Sequence, residues 1–155
     1  MTTFESICNF LTEHNIPFRT VHHQPTFTSE ESAHARGEEV RIGGKAILIK
    51  IDNDFKLFVL SAALKVDSKK LKEHFRAKSI RFATKEELHL LTGLVPGSVP
   101  PFGKPILNVE LFVDRSVTQN EKVAFNAGSL TDSVVMSTTD YLSIANATQM
   151  DFSQQ

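Results

Sequence analysis

KAILIKIDNDFKLFVLSA, residues 45–62, is the stretch that decides the fold, because it predicts a β-hairpin with two long apolar strands. Its two halves, 45–52 and 55–62, are rich in isoleucine, leucine, valine and phenylalanine. This composition suits strands that pack on a core, while the intervening Asn53 and Asp54 suit a tight turn. We therefore predict that the two halves pair as adjacent strands.

Helix signals lie on both sides of this hairpin. Residues 28–31 (TSEE) and 84–87 (TKEE) have the capping-box spacing that begins a helix, and Gly37 and Gly93 follow where a helix can end. Asp67 can cap a further helix that carries Leu71 and Phe75. The other predicted elements are an N-terminal amphipathic helix with Phe4, Ile7, Cys8 and Leu11, short strands at 17–22, 106–113, 123–126 and 134–137, and a closing helix with Tyr141, Leu142 and Ile144.

Together these elements predict a mixed α/β (α+β) fold, in which helices surround a mixed, largely antiparallel sheet. The 155 residues fit a single domain, residues 1–155, and the contents of 41% hydrophobic and 23% charged residues are typical of soluble globular proteins. No stretch approaches the ~18 consecutive apolar residues that span a bilayer, so no membrane association is predicted. The single Cys8 excludes an internal disulfide, and the N-terminus lacks a secretory pattern. Both observations favour a cytoplasmic location.

The charge balance limits how this protein could bind nucleic acid. The formal net charge is -1, which excludes the global basic character of domains that bind duplexes by electrostatics alone. A local candidate is the lysine-rich segment 65–72 (KVDSKKLK), followed by Arg76, Lys78 and Arg81. A solvated helix face is the alternative explanation of the same residues.

Several catalytic motifs are absent from the sequence. There is no CxxC or HExxH motif, no phosphate-binding or dinucleotide-binding glycine pattern, and no Gly-x-Ser-x-Gly elbow. The adjacent His22 and His23 would point to opposite faces of a strand, and no nearby carboxylate or cysteine completes a metal-ligand set. We therefore predict neither a metal site nor a cofactor.

The segment 94–103 (LVPGSVPPFG) packs three prolines and two glycines into ten residues. No helix or central strand tolerates this composition. Proline fixes the backbone and glycine lets it approach a ligand, so the segment could present its few N–H groups to a carbonyl or phosphate oxygen. The alternative is a rigid connector that binds nothing.

Lys45 opens the first hairpin strand directly after Ile42, Gly43 and Gly44. Its side chain shares the parity of Ile47, Ile49 and Ile51 and therefore faces an apolar layer. A partly desolvated lysine in such a place could hold a phosphate or carbonyl oxygen as a fixed point charge. Alternatively, it is a strand-end lysine that extends to water.

Four segments follow one another along the chain: 23–25 (HQP) leading to 28–33 (TSEESA), 44–50 (GKAILIK), 92–102 (TGLVPGSVPPF) and 125–130 (FNAGSL). In this order they resemble the YbaK and prolyl-tRNA synthetase editing-domain family of aminoacyl-tRNA deacylases, and the resemblance extends over roughly residues 4 to 150. The implied fold is a YbaK-like mixed α/β domain without metal, which agrees with the elements predicted above.

The resemblance also implies roles for particular residues. The family's lysine falls on Lys45, whose implied catalytic role is to position the substrate and its terminal-adenosine phosphate. The family's Gly-x-x-x-Pro loop falls on residues 97–101, whose backbone amides would hold the ester carbonyl. Some relatives carry a histidine near the segment of Gly128 and Ser129, and this chain does not. The implied substrate-binding residues are Gly97, Ser98, Val99, Pro100, Pro101, Phe102, Gly128 and Ser129.

The function implied by the resemblance is trans-editing: hydrolysis of the ester of tRNA mischarged with a small amino acid such as alanine, serine or threonine. The expected partner is the 3′ acceptor end of aminoacyl-tRNA, with recruitment by an aminoacyl-tRNA synthetase or an elongation factor as a further expectation. An alternative is a noncatalytic module that binds an aminoacyl group or a tRNA 3′ end on a partner. A hydrolase of small-molecule esters or amides would need a nucleophile that the sequence does not show.

Overall fold

The computed structural model describes residues 1–154, which form a three-stranded and a five-stranded β-sheet with helices packed around them. The helices are α1 (Thr3–Glu13), α2 (Ser29–Arg36), α3 (Ser68–Phe75), α4 (Lys85–Thr92), α5 (Arg115–Thr118) and α6 (Thr138–Ala145), with a 3-10 turn at Val40–Ile42. The strands are β1 (Phe18–His22), β2 (Gly44–Ile51), β3 (Asp54–Ser61), β4 (Ile80–Phe82), β5 (Glu110–Asp114), β6 (Lys122–Asn126), β7 (Asp132–Ser137) and β8 (Thr148–Met150).

The strand order confirms a mixed, largely antiparallel arrangement. The smaller sheet has the order β1-β7-β6 and is antiparallel throughout. The larger sheet has the order β4-β2-β3-β5-β8; β2 pairs antiparallel with β4 and β3, whereas β5 pairs parallel with β3 and β8. A single parallel bridge between Gly43 and Ala124 brings the start of β2 against the smaller sheet.

The predicted hairpin is confirmed, with a small shift of its turn. Strands β2 and β3 pair without interruption from Gly44 opposite Ser61 to Ile51 opposite Asp54. Asp54 therefore belongs to β3, and the turn consists of Asp52 and Asn53 rather than of Asn53 and Asp54. Asp52 takes a positive φ of 53° and its carboxylate accepts hydrogen bonds from the main-chain N–H groups of residues 78 and 79, which fixes the turn.

The hairpin separates two apolar clusters. Leu48 on one face of β2 belongs to the larger cluster, which includes α1, β6 and part of the loop before β5. Ile49 and Ile51 on the other face pack in a second cluster with Phe58 and Phe112. Because both faces are covered, the strands are almost continuously apolar, as in the sequence.

The helix boundaries follow the capping signals. Thr28 and Thr84 each accept a hydrogen bond from the main-chain N–H group three residues later, and the glutamate carboxylate there accepts one from the N–H group of the cap residue. Gly37 and Gly93 end α2 and α4 at φ values of 72° and 74°. None of the helices in the described part of the chain has the length and apolar character needed to span a bilayer.

The strand predicted at 106–113 is wrong in its first half. β5 begins only at Glu110, because the N–H groups of Ile106 and Leu107 both donate to Gly103 O and close a turn. The short elements β4, α5 and β8 were not predicted. Each has only three or four residues, which is too few for a hydrophobic period to be recognised.

Candidate functional site

A cavity of about 350 Å³ lies between the start of α2, the first half of β2, the start of α4 and the proline-rich loop. This volume is within the range of small-molecule sites. Its inner wall is apolar, formed by Leu48, Leu88 and Val99, which are buried. At its rim stand two exposed aromatic rings, Phe27 and Phe82, whose exposed fractions are 74% and 52%.

The main chain at the start of β2 forms one side of this cavity. β4 pairs with residues 49–51 only and β6 meets the chain through the bridge at Gly43, so residues 45–47 have no strand paired to this edge within residues 1–154. Gly43 and Gly44 allow this edge to pack closely: a Cβ on Gly43 would lie 2.9 Å from Ala62 Cβ, and one on Gly44 2.8 Å from Val123 Cγ2. Both contacts are shorter than real Cβ atoms tolerate, so other residues here would shift the strand.

Lys45 also lines the cavity and is half-buried. Its side chain lies on the face of β2 that carries Ile49, and its Nζ donates a hydrogen bond of 2.8 Å to Leu64 O. Burial lowers the pKa of Lys45, the nearby charge of Lys65 lowers it further, and Glu30 opposes the change. The ammonium group is thus partly desolvated and held in place by a carbonyl.

The proline-rich loop is rigid where it meets the cavity. Residues 95–98 form a turn in which Ser98 N donates to Val95 O at 3.1 Å, with Pro96 and Gly97 at the two central positions. Gly97 has a φ of 88°, as the third residue of a type II turn requires. The N–H groups of Gly97 and Val99 have no acceptor among residues 1–154, and both residues line the cavity.

A buried polar network supports this loop from behind. Arg36 donates through Nε to Ser133 Oγ at 2.9 Å and through Nη2 to Asn126 Oδ1 at 3.0 Å. Asn126 Nδ2 in turn donates to Gly97 O at 2.8 Å. Burial lowers the pKa of Arg36 to about 10, so the guanidinium stays charged at neutral pH.

Sequence reasoning missed Arg36 and Asn126 as site residues. A helical spacing of Ser29, Ser32 and Arg36 on one face of α2 was the available signal, and all three residues line the cavity. Hydroxyl groups of Thr26 and Ser32, 2.8 Å apart, add to this polar end of the cavity.

The other residues implied for substrate binding lie outside the lining of this cavity. The Ser98 hydroxyl donates to Val95 O and closes the turn. Pro101 O accepts a hydrogen bond of 2.6 Å from the Tyr141 hydroxyl. The ring of Phe102 packs edge-on against neighbouring aromatic rings in the core, and Pro100 is also buried. These residues fix the loop rather than form its cavity surface.

Gly128 and Ser129 form the turn between β6 and β7, also outside the cavity lining. Gly128 lies against α1, where an added Cβ would be 2.5 Å from Thr3 Cγ2. The Ser129 hydroxyl donates to Asp132 Oδ2 at 2.9 Å. Burial alone would raise the pKa of Asp132, but hydrogen bonds from His22, Ser129 and Thr131 outweigh burial and lower it.

The histidine pair is placed as two separate contacts. His22 Nδ1 lies 2.8 Å from Asp132 Oδ1, a carboxylate that is distant in the sequence and that the pairing of β1 with β7 brings there. His23 instead lies 2.8 Å from Ser133 Oγ. No group of three or more potential metal-ligating side chains occurs in residues 1–154.

Residues 68–72 of the lysine-rich segment lie in α3, and none of residues 65–72 lines the cavity. Lys69 and Lys72 are exposed, whereas Lys70 Nζ donates to Ser153 O at 2.9 Å. Of the lining side chains, Arg36, Lys45 and Lys85 are cationic and none is a carboxylate. The cavity is therefore electropositive even though the whole chain is nearly neutral.

Comparisons with known proteins agree on one family. The family model described as an aminoacyl-tRNA editing domain matches residues 23–144. The multifunctional Ser/Thr-tRNA deacylase ProXp-y of Escherichia coli K12 is 31% identical over 156 aligned residues, covering 97% of this chain and 92% of the relative. The proline–tRNA ligase of Shouchella clausii is 29% identical over 100 residues, covering 64% of this chain and 17% of the ligase.

Two solved structures share the fold. One, described as a candidate trans-editing enzyme for prolyl-tRNA synthetase, has a TM-score of 0.84 at 23% identity and covers 100% of this chain and 99% of its own. The other, from work on grafting epitopes onto scaffold proteins, has a TM-score of 0.85 at 21% identity and covers 99% and 98%. At these identities the comparison concerns the fold alone.

Proposed function

This chain belongs to the aminoacyl-tRNA editing domain family, and from that premise we propose that it hydrolyses the ester of tRNA mischarged with a small amino acid, acting in trans. It is an aminoacyl-tRNA deacylase in this proposal, with serine, threonine and alanine as the preferred amino acids. The observation that carries the proposal is the pair of N–H groups at Gly97 and Val99, which have no acceptor in the described chain and lie in a cavity that Lys45 also lines.

The chemistry needs no protein nucleophile. An aminoacyl ester is already activated, and the neighbouring ribose hydroxyl can assist attack by water. Water adds to the carbonyl carbon, the carbonyl electron pair moves onto its oxygen, and collapse breaks the bond to the ribose oxygen, which takes up a proton. The products are the free amino acid and uncharged tRNA. The protein mainly has to orient the ester and stabilise the charge that develops on oxygen.

We assign the residues of the cavity as follows. The N–H groups of Gly97 and Val99 hold the carbonyl oxygen, because they are fixed by the turn and have no other acceptor in the described chain. Lys45 holds the terminal-adenosine phosphate at the mouth of the cavity, because its ammonium is half-buried and retains donors beyond the one given to Leu64 O.

The rim supports the proposal that the 3′ acceptor end of tRNA docks here. Phe27 and Phe82 are exposed aromatic rings, and base stacking on such rings contributes about 1 to 3 kcal/mol per base. Lys85 stands beside them for a phosphate. A net charge of -1 leaves little further attraction for tRNA, which supports recruitment by a synthetase or an elongation factor.

The inner wall supports selection by size. Leu48, Leu88 and Val99 leave an apolar end beside the hydroxyls of Thr26 and Ser32. An apolar pocket separates ligands that differ by one methylene by only about 1 to 3 kcal/mol, so alanine, serine and threonine should be cleaved at overlapping rates.

The test is a panel of Ala-, Ser-, Thr-, Cys-, Pro- and Phe-tRNA at one enzyme concentration. The Lys45→Met variant serves as the control for spontaneous ester hydrolysis. We expect alanine, serine or threonine to be released fastest. Fastest release from Phe-tRNA or Pro-tRNA would contradict the substrate assignment, and tight binding without release from any of them would instead support a noncatalytic binding module.

A further inference from the structure

Arg36 is a buried cation with no anion beside it. Its exposed fraction is 8%, and no carboxylate within residues 1–154 forms an ion pair with it. An unpaired buried charge is costly unless something compensates it. The Asn126 amide oxygen and the Ser133 hydroxyl that it contacts are neutral, so they satisfy hydrogen bonds without cancelling the charge.

The guanidinium has one occupied edge and one free edge. Nε and Nη2 donate to Ser133 and Asn126, which are hydrogen-bonded to each other at 3.0 Å. Guanidinium has five N–H donors, so the edge formed by Nη1 and the second hydrogen of Nη2 is left. In the described chain Nη1 has no acceptor, and it lies 3.6 Å from where a Cβ on the cavity-lining Gly43 would stand. This free edge is suited to an oxygen atom that carries negative charge.

The substrate of the proposed function offers two kinds of negative oxygen. One is the terminal phosphate, which is linked to the rest of the tRNA and so must stay near the mouth, where Lys45 and Lys85 lie. The other is the ester carbonyl oxygen, which becomes negative when water attacks and which belongs to the part of the substrate that enters the cavity. The depth of Arg36 favours the second. Its positive charge also repels the α-ammonium of the substrate, which disfavours the reversed orientation.

The link to the loop strengthens this assignment. Asn126 accepts from Arg36 and donates to Gly97 O, so one side chain positions both the cation and the turn that carries the free N–H groups. Donors held in this way need no rearrangement when charge develops, which is what makes such groups effective in catalysis.

We propose that Arg36 is a further catalytic residue, whose free guanidinium edge contacts the carbonyl oxygen as it becomes negative during ester hydrolysis. This inference rests on the proposed deacylase function. In the reaction, the bond from the water oxygen to the carbonyl carbon forms, the electron pair moves to the oxygen beside Arg36, and the pair returns as the ribose oxygen leaves. The proton of the attacking water ends on that ribose oxygen.

The experiment compares Arg36→Met, which removes the charge at similar side-chain length, with Arg36→Lys, which keeps a positive charge but lacks the planar guanidinium with its paired N–H donors. The readouts are kcat and KM for the best charged tRNA, with melting temperature and circular dichroism to measure the folded fraction. We expect Arg36→Met to lower kcat by about 100-fold or more at nearly unchanged KM, and Arg36→Lys to lower it by about 10-fold. The matched control is Arg115→Met, an exposed arginine on α5 outside the cavity, which should retain wild-type kcat.

Three results would overturn the inference. The first is a raised KM with unchanged kcat in both variants, which would place a phosphate on Arg36. The second is wild-type kcat per folded molecule in Arg36→Met. If Arg36→Met fails to fold, wild-type kcat in the folded Arg36→Lys variant is the third. Failure of the proposed function itself looks different, because the wild-type protein would then release no amino acid from any charged tRNA.

Discussion

The substitution Gly97→Ala has two expected effects: it adds backbone strain at a positive φ, and it changes the direction of one N–H group. A control variant can separate the two. An added Cβ would lie 3.5 Å from Leu130 Cδ2, an ordinary contact, so no steric clash arises. The cost is therefore that of holding alanine in the left-handed region, about 1 to 2 kcal/mol. For a chain of this length, that corresponds to a fall in melting temperature of about 2 to 8 °C.

Gly93→Ala is the matched control. Gly93 ends α4 at a φ of 74°, has no atom within 4 Å of an added Cβ, and does not line the cavity. It should lose at least as much stability as Gly97→Ala, because a change of turn type can relieve the strain at residue 97. Activity should differ, because alanine at the third position of a type II turn favours type I, in which the peptide between Pro96 and residue 97 is flipped. The flip turns the N–H group of residue 97 away from the cavity.

We expect Gly97→Ala to lower kcat per folded molecule by about 10- to 100-fold, the range for a weakened or lost oxyanion donor. Gly93→Ala should keep wild-type kcat. The assay is single-turnover release of labelled amino acid from charged tRNA, with thermal unfolding followed by circular dichroism. Equal kcat values in the two variants would refute the reasoning and leave the proline-rich loop as a rigid connector.

Further predictions concern the lysines. Lys45→Met should lower kcat/KM by about 100-fold, and wild-type turnover would contradict its assignment. Burial lowers the pKa of Lys45 in the folded protein below its ordinary value of 10.5, which applies to the unfolded chain. Between these two pKa values the unfolded chain binds more protons than the folded protein, so the free energy of unfolding should rise with pH. Urea unfolding across that window should show the rise in the wild type and a smaller one in Lys45→Met; identical slopes would exclude a buried ammonium. Charge reversal at the exposed Lys69 and Lys72 should weaken tRNA binding and make it less dependent on salt, whereas an unchanged KM would identify α3 as a solvated helix face.

Local signals determined most of the secondary structure from the sequence. Capping boxes at Thr28 and Thr84, the glycines that follow each helix, and the apolar runs of β2 and β3 each act over a few residues. The prediction of a strand at 106–113 was wrong in its first half because a local hydrogen-bonded turn replaces the strand there. The alternating apolar residues of this segment satisfy a strand pattern, but the N–H groups of Ile106 and Leu107 are used by a local turn at Gly103, which periodicity does not reveal.

The candidate site could be predicted only in part. Lys45 and Gly97 were found because each stands in a local pattern, a lysine after two glycines and a glycine between prolines, and both line the cavity. Gly128 and Ser129 were named from their segment, yet the chain turns there against α1 and Asp132. A segment's presence near a site does not say which of its side chains reaches the cavity.

The longer helices and strands, and the ends of α2 and α4, were thus predicted from the sequence, because hydrogen bonds between residues three or four apart and alternation along a strand are local. The tertiary structure alone decided the polar network, in which Arg36 and Asn126 are 90 positions apart and Asn126 and Gly97 are 29 apart. The helical spacing of Ser29, Ser32 and Arg36 places these side chains on one face of α2, but it does not show that this face is buried against Asn126. Pairing of β6 with β7 and packing of α2 remove Arg36 and Asn126 from water and leave the charge of Arg36 without an ion-pair partner in the described chain.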